Sequence, residues 1–255
     1  MANASQPVAF FDSGLGGLSV LRETRRLLPN ENYLYYGDSA NAPYGIRPPE
    51  EIRQLSLAVT ERVLALGAKA IVVACNTATG EAVELLRARW PEVPVIGVEP
   101  AVKPAVEAYP GGKILVMATP MCLRSHRYQA LTARFSGQAE LISVPCDGLM
   151  EFVERCELDS PALAAYLAEK LSPHLERPVS AVVLGCTHYP FLRAAITRQL
   201  PKGTPLIDGN AGTAAQLARR LDEAGLRNLS QASGTVTFLN SDPSMLPLCE
   251  TLFRL

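Results

Sequence analysis

Two cysteines follow closely similar stretches of sequence, one in each half of the chain. Cys75 follows the run Ala-Ile-Val-Val-Ala, and Cys186 follows the run Ala-Val-Val-Leu-Gly. A short, continuous, β-branched run predicts a strand buried on both faces, as in a parallel sheet. A polar residue able to cap a helix comes after each cysteine. We therefore expect each thiol to lie where a strand ends and a helix begins.

That position suits chemistry by a thiol. Open α/β sheets bind ligands at the carboxyl ends of their strands, and a helix N-terminus favours the negatively charged thiolate. Cysteine is also a small apolar residue common in cores. We apply that interpretation to Cys146, Cys156 and Cys249, whereas Cys122 also follows a predicted strand end, at Thr119. The matched contexts of Cys75 and Cys186 favour two thiols that face one site.

A glycine-rich turn, Asp12-Ser13-Gly14-Leu15-Gly16-Gly17, follows the first apolar run of the chain. Backbone N–H groups in such a turn can approach a carboxylate or a phosphate, although a tight strand-to-helix turn has the same composition. The spacing differs from a dinucleotide fingerprint because Ser19 occupies the third glycine position, and no P-loop lysine follows. Asp12 would repel a polyphosphate, so a carboxylate is the favoured ligand.

His188 stands two residues after Cys186. Its imidazole could deprotonate a thiol, hold a substrate carboxylate as the imidazolium, or bind a metal together with Cys186. A zinc site needs three or four ligands, and no compact pair in the sequence supplies the others, so we expect no metal. His126 and His174 lie on helical stretches among charged residues and are interpreted as surface groups.

Strand and helix patterns alternate along the whole chain. This alternation predicts an α/β fold of two similar α/β domains with mostly parallel sheets. The first domain is predicted to comprise residues 1–98 plus 208–255, and the second residues 99–207. Asp38, Thr119 and Asp208 also follow predicted strands, so several strand ends would converge on one cleft. We further expect single helices to run from the Thr119 turn to about Phe135 and over residues 161–175 and 190–200, and an edge strand over residues 235–239.

Composition excludes several classes of protein. The chain has 255 residues, 48% of them hydrophobic, and a formal net charge of −1. A charge so close to zero does not favour nucleic acid or an anionic membrane surface as a partner. No apolar run approaches the ~20 residues of a transmembrane helix, and residues 1–7 lack the pattern of a signal peptide. The six cysteines lack C-x-x-C spacing, which favours reduced thiols and a cytoplasmic location.

Several longer motifs resemble those of bacterial glutamate racemases, within the aspartate/glutamate racemase superfamily. The resemblance covers nearly the whole chain, in order. Its motifs are Phe11-Asp12-Ser13-Gly14-Leu15-Gly16-Gly17-Leu18-Ser19-Val20, Tyr36-Gly37-Asp38, Pro43-Tyr44-Gly45, Ala74-Cys75-Asn76-Thr77-Ala78 and Leu184-Gly185-Cys186-Thr187-His188-Tyr189-Pro190.

The resemblance implies an amino-acid racemase, an isomerase that interconverts L-glutamate and D-glutamate without pyridoxal phosphate or any other cofactor. Its D-glutamate would supply peptidoglycan and so cell-wall biogenesis and cell shape. The family fold has two α/β domains with the active site in the cleft between them. Expected partners are therefore L-glutamate and D-glutamate, with no nucleic acid and no membrane; a homodimer is one compatible assembly.

The resemblance also assigns roles to residues. Cys75 and Cys186 are the two acid–base catalysts, and Asp12 and His188 lie where the family supports the two thiols. Substrate contacts are expected at Asp12, Ser13, Asp38, Tyr44, Gly45, Asn76, Thr77, Thr119, Thr187 and His188. Glu154 lies near the position of a family glutamate close to the site.

One departure concerns the family pattern A-T-x-x-T, because Cys122 stands where the second threonine would be. The N-terminus is also short compared with family members activated by a cell-wall precursor.

Three other functions fit parts of the sequence. A racemase of aspartate or a related acid would use the same thiols. A cysteine hydrolase would use Cys186 as nucleophile and His188 as base, but it leaves Cys75 without a role. A binding module that closes on a dicarboxylate would need neither thiols nor turnover.

Overall fold

The computed structural model describes residues 3–255. Met1 and Ala2, which belong to the segment predicted to lack a signal peptide, lie outside the described residues. In chain order the strands are β1 (Val8–Asp12), β2 (Tyr33–Gly37), β3 (Ala70–Val73), β4 (Val95–Gly97), β5 (Lys113–Ala118), β6 (Glu140–Pro145), β7 (Ala181–Leu184), β8 (Leu206–Asp208) and β9 (Val236–Asn240). The α-helices are α1 (Leu18–Leu27), α2 (Pro49–Ala65), α3 (Asn76–Arg89), α4 (Val102–Ala108), α5 (Pro120–Arg124), α6 (His126–Ala133), α7 (Leu149–Glu154), α8 (Pro161–Leu171), α9 (Arg193–Arg198), α10 (Asn210–Glu223) and α11 (Leu246–Arg254).

The chain divides into two compact units. Unit 1 contains the chain up to Val98 together with Asn210–Leu255, and unit 2 contains Glu99–Gly209. The predicted fold class is confirmed, because each unit holds a parallel sheet covered by helices. None of the helices within residues 3–255 is long and apolar enough to cross a membrane.

The sheet of unit 1 has the strand order β4-β3-β1-β2-β9, with every neighbouring pair parallel. All residues of β1 and β3 are buried, which explains their unbroken apolar sequences. The predicted strand over residues 235–239 is confirmed as β9 at one edge of this sheet. Gly17 is required where α1 begins, because a Cβ there would lie 2.8 Å from Cβ of Ala74 and 2.9 Å from Cβ of Asp12.

The sheet of unit 2 has the strand order β6-β5-β7-β8, again with every pair parallel. Its central strands, β5 and β7, are almost wholly buried. Gly185, the residue before Cys186, is required by close packing on the neighbouring strand. A Cβ at this position would lie 2.8 Å from the Met117 carbonyl oxygen. The Cys186 turn therefore packs directly against the end of β5.

Three predicted helices differ from the structure. The helix after Thr119 is two helices, α5 and α6, because Ser125 between them is extended and its hydroxyl caps the second by accepting from the Tyr128 N–H. The helix over residues 161–175 ends as an α-helix at Leu171 and continues as a 3₁₀ turn, Ser172–His174. Pro173 in that turn has no N–H with which to extend the α-helical pattern.

The helix over residues 190–200 begins later than predicted. A 3₁₀ turn, Tyr189–Leu192, precedes α9. An α-helix starting at Cys186 would need the N–H of residue 190 to bond the Cys186 carbonyl, and Pro190 has none. Tyr189 instead closes a tighter turn by donating its N–H to that carbonyl at 3.1 Å. No α-helix therefore begins at Cys186.

Candidate active site

In unit 1, the Cys75 thiol sits between a strand and a helix, as the sequence predicts. Cys75 follows β3 and forms the N-cap of α3, where its sulfur accepts the Ala78 N–H at 3.4 Å. The sulfur also lies 3.6 Å from the Ser13 hydroxyl oxygen, and both side chains are buried. A helix N-terminus and a hydroxyl donor both stabilise a negative charge on sulfur. Both contacts are therefore available to a thiolate at Cys75.

Asp12 ends β1 beside this thiol-bearing turn and is completely buried. One carboxylate oxygen accepts the Gly14 N–H at 2.7 Å, which closes the turn predicted from the glycines. The Asp12 carbonyl in turn accepts the Asp38 N–H at 2.9 Å. Asp12 and Asp38 therefore lie side by side, at the carboxyl ends of the neighbouring strands β1 and β2.

Asp38 is tied to the loop that carries Tyr44 and Gly45. The Tyr44 hydroxyl, fully buried, donates to an Asp38 carboxylate oxygen at 2.6 Å. Burial raises the pKa of the Tyr44 phenol far above its ordinary value, and its bond to Asp38 and the nearby Cys75 and Asp12 add to that shift. Tyr44 therefore remains a protonated donor. Gly45 is half-buried in the short 3₁₀ turn Tyr44–Ile46.

Asn76 and Thr77 are the first two residues of α3. Thr77 is buried. The amide oxygen of Asn76 is also buried, and none of the hydrogen-bond donors in residues 3–255 reaches it. A buried acceptor without a donor is costly, so this oxygen, one residue from Cys75, is suited to a donor on a bound molecule.

In unit 2, the Cys186 thiol belongs to a turn that follows β7. Its sulfur lies 3.7 Å from Nδ1 of His188, within the same turn. The other ring nitrogen of His188, Nε2, is 3.0 Å from a carboxylate oxygen of Glu154 on α7. The imidazole is almost completely buried, and the Glu154 side chain is 15% exposed. Cys186, His188 and Glu154 therefore form a chain of three ionisable groups.

This arrangement fixes how His188 can act. With Glu154 ionised, Nε2 carries a proton and donates it to the carboxylate. Nδ1 then either accepts a proton from the Cys186 thiol or, in the imidazolium, donates to the thiolate. The carboxylate stabilises the imidazolium in the second case. The three groups are thus able to hold the Cys186 thiolate beside a positive charge.

A second buried thiol, Cys146, lies close to this group. Its S–H donates to the Val144 carbonyl at 3.4 Å. Burial raises the pKa of Cys146 to about 12, and the nearby Cys186 adds to that shift. Cys146 thus remains a neutral thiol at physiological pH, which agrees with its interpretation as a packing residue.

The two predicted threonines of unit 2 occupy different surroundings. Thr187 is buried beside Cys186. Thr119 follows β5, and its hydroxyl accepts the Cys122 N–H at 3.2 Å as the N-cap of α5. Cys122, which departs from the family pattern, packs into the apolar core of this unit.

No group of three or more His, Cys, Asp and Glu side chains in residues 3–255 is arranged to hold a metal ion. The six cysteines, all of which lie in this range, carry thiols rather than disulfides.

Comparison with known proteins identifies the family. The family model described as Asp/Glu/hydantoin racemase matches residues 17–217. The glutamate racemase of Clostridium botulinum (strain Alaska E43 / Type E3) is 45% identical over 256 residues, covering 100% of this chain and 99% of the relative.

The chain belongs to the Asp/Glu/hydantoin racemase family.

Solved structures of this family agree with the fold. The glutamate racemase of Thermus thermophilus, in complex with β-chloro-D-alanine, is 37% identical, has a TM-score of 0.81, and covers 98% of this chain and 94% of its own. The glutamate racemase of Escherichia coli, in complex with L-glutamate and the activator UDP-MurNAc-Ala, is 31% identical, has a TM-score of 0.86, and covers 98% of this chain and 95% of its own. The family resemblance stated from the motifs is therefore confirmed.

Two contacts of this site were not predicted from the sequence. The contact between Glu154 and His188 joins residues far apart in sequence, and only the family resemblance suggested that Glu154 lies near the site. Tyr189, which follows His188 directly, donates its hydroxyl to the Cys146 carbonyl at 3.1 Å. Its place in the motif Cys-Thr-His-Tyr-Pro was the only sequence signal available.

Proposed function

We propose that this chain is a glutamate racemase that interconverts L-glutamate and D-glutamate with its own side chains and without a cofactor. One observation carries the proposal. In each unit a cysteine follows a buried parallel strand, and neighbouring groups are placed to stabilise its thiolate. Ser13 and the start of α3 serve Cys75, and the His188–Glu154 pair serves Cys186. The full-length similarity to proteins named glutamate racemase gives the substrate.

Racemisation removes the α-hydrogen from one face of the substrate and returns a proton to the opposite face. One thiolate and one thiol perform these two transfers without turning the substrate over, and their protonation states exchange in each turnover. By the resemblance to glutamate racemases, Cys186 acts on L-glutamate and Cys75 on D-glutamate. A thiol at neutral pH is mostly protonated, so the groups beside each sulfur must stabilise its thiolate when that sulfur is the base.

The two thiols receive that stabilisation in different ways. Cys75 uses uncharged donors, namely the Ala78 N–H and the Ser13 hydroxyl. Cys186 uses an imidazole whose far nitrogen faces a carboxylate. When Cys186 gives its proton to His188, Glu154 stabilises the resulting imidazolium. When Cys186 holds its proton, the neutral imidazole remains oriented by the same carboxylate.

The weak acidity of the α-proton sets the task of the substrate-binding residues. The negative charge that develops on the α-carbon spreads into the α-carboxylate, where preorganised donors stabilise it. The hydroxyls of Ser13, Thr77 and Thr187 supply such donors. The buried amide oxygen of Asn76 accepts from the α-ammonium group. Thr119, Asp12 and Asp38, which all end strands, and the Tyr44–Gly45 turn complete the proposed binding set.

The cellular setting is also a proposal. D-glutamate made by this enzyme enters peptidoglycan, and the protein works in the cytoplasm, a reducing compartment that keeps its six thiols unoxidised. A homodimer is the proposed assembly, and light scattering on the eluted peak of a gel-filtration column tests it. A monomeric mass at micromolar concentration contradicts that assembly without affecting the reaction.

Circular dichroism tests the reaction directly. Purified protein dialysed against EDTA, with no added pyridoxal phosphate, is mixed with L-glutamate. The ellipticity should decay to zero, and the same end point should be reached from D-glutamate. Alkylation of the thiols should abolish the decay, whereas a binding module would show none. If the ellipticity of glutamate does not change and aspartate is racemised, the substrate is aspartate instead. If EDTA abolishes the racemase activity and zinc restores it, the cofactor-free mechanism is contradicted.

A further inference from the structure

Tyr189 is the one fully buried tyrosine in unit 2. It makes hydrogen bonds to the backbone at two places, Cys186 and Cys146. Its N–H donates to the Cys186 carbonyl at 3.1 Å and closes the turn that displays the thiol. Its hydroxyl donates to the Cys146 carbonyl, also at 3.1 Å. A single residue therefore joins the end of β7 to the residue that follows β6.

The segments that Tyr189 joins are also hydrogen-bonded to β5, the strand that lies between β6 and β7. The Cys146 N–H donates to the Ala118 carbonyl at 2.9 Å, and the Gly185 N–H donates to the Met117 carbonyl at 2.7 Å, both at the end of β5. The Tyr189 side chain thus closes a hydrogen-bonded ring across the ends of three parallel strands.

The ring joins the segment that leads to Glu154 to the turn that holds His188. The segment that starts at Cys146 leads within three residues into α7, which carries Glu154, and α7 packs against the 3₁₀ turn Tyr189–Leu192. His188 lies on the other side of the ring, in the turn closed by Tyr189. The Tyr189 hydroxyl bonds the first segment to the second, in addition to the contact between Glu154 and His188.

We propose that Tyr189 is a positioning residue for the acid–base group of unit 2: its hydroxyl sets the placement of the Cys186 thiol relative to His188 and Glu154. This inference rests on the proposed racemase function. Complete burial raises the pKa of the Tyr189 phenol well above its ordinary range, with Cys186 and Cys146 adding to the shift. The hydroxyl consequently stays a donor throughout the pH range of activity.

Tyr189→Phe removes only the donor oxygen and keeps the ring in the core. Misplacement of a reacting group by a fraction of an ångström to 1 Å costs about 10- to 100-fold in turnover, and we expect a loss of this size in kcat with a smaller change in KM. The matched control is Tyr33→Phe. Tyr33 is also a buried residue, and its hydroxyl donates to the Leu28 carbonyl at 2.6 Å, at the opposite end of the sheet of unit 1 from Asp38.

The decisive readout is the deuterium isotope effect measured from each enantiomer of α-deuterated glutamate. Because Cys186 abstracts from L-glutamate, slowing its step should raise the isotope effect on kcat/KM in the L-to-D direction only. Tyr33→Phe should also lower the melting temperature, because it too removes a buried hydrogen bond, but it should leave both isotope effects unchanged. p-Aminophenylalanine at position 189, which restores an N–H donor, should recover most of the turnover. Rates are normalised to the folded fraction, so a loss of stability alone does not imitate the effect.

Three results overturn the inference. The first is a turnover of Tyr189→Phe within twofold of the wild type. The second is an isotope effect that rises equally in both directions. The third is a loss of turnover in Tyr189→Phe that equals the loss in Tyr33→Phe. Absence of racemisation by the wild-type protein overturns the proposed function, and this inference with it. Wild-type racemisation together with any of the first three results overturns the role of Tyr189 alone.

Discussion

Replacing Glu154 with glutamine isolates the charge that acts on His188. Glutamine keeps the shape of the side chain and an oxygen that can accept from Nε2 of His188, so the ring remains oriented. The negative charge that stabilises the imidazolium is lost. The pair is 3.0 Å apart, and the exposed fractions of its side chains are 3% for His188 and 15% for Glu154. Screening by solvent is consequently small.

A charge-assisted hydrogen bond in such surroundings contributes about 1.5–3 kcal/mol. At about 1.4 kcal/mol per factor of ten in rate, Glu154→Gln should lower kcat by about 10- to 150-fold. The fall in kcat arises because the variant no longer stabilises the state in which Cys186 is a thiolate beside the imidazolium. Initial rates from both enantiomers, followed by circular dichroism, measure it.

Glu151→Gln is the matched control for this variant. Glu151 lies on the same helix, α7, with its side chain 57% exposed and paired with Arg155 on the surface. We expect its turnover to stay within about twofold of the wild type, because exposed ion pairs contribute little. Wild-type turnover by Glu154→Gln, or an equal loss in Glu151→Gln, would refute the assigned role of the carboxylate.

Two further predictions concern stability. Because the pKa of Cys146 is raised to about 12 in the folded protein, the unfolded chain loses this proton first as the pH rises above 9. Between pH 9 and pH 11 the free energy of unfolding of the wild type should therefore fall by about 2–3 kcal/mol more than that of Cys146→Ala, at up to about 1.4 kcal/mol per pH unit. Urea unfolding under reducing conditions measures this difference. Free energies of unfolding that change in parallel with pH in the two proteins would contradict the prediction. Lys69 and Glu31 form a buried ion pair, in which the lysine also donates to the Ala4 carbonyl and the glutamate also accepts the Asn228 N–H at 2.8 Å. Lys69→Met should cost about 3–5 kcal/mol by leaving a buried carboxylate unpaired, and the double variant Lys69→Met/Glu31→Gln should recover most of this loss; equal midpoints for the single and double variants would contradict the argument.

The parallel sheets were predictable because burial on both faces demands a continuous apolar sequence. The runs that became β3 and β7 satisfy that demand with β-branched residues, and the chain alternates them with helical patterns. The placement of Cys75 was predictable for the same local reason, since Asn76 and Thr77 open a helix directly after the strand.

The surroundings of Cys186 were only partly predictable. The missing N–H of Pro190 replaces a helix start with a 3₁₀ turn, and the thiol takes its partner from within that turn rather than from a helix N-terminus. The Glu154–His188 and Tyr189–Cys146 contacts depend on how α7 packs beyond the ends of the strands. No spacing rule along the chain relates such residues, so local sequence patterns did not reveal them.

The two-thiol mechanism is tested most directly by isotope exchange in D₂O with one thiol removed at a time. Cys75→Ala leaves Cys186 as the proton carrier, and Cys186→Ala leaves Cys75. Racemisation by each variant should fall by at least ~10²–10⁴-fold, the usual contribution of a positioned proton-transfer group. Proton NMR of the α-hydrogen should then show slow deuterium incorporation without inversion, into L-glutamate by Cys75→Ala and into D-glutamate by Cys186→Ala. Near-wild-type racemisation by either variant, with host racemase excluded, would contradict the account.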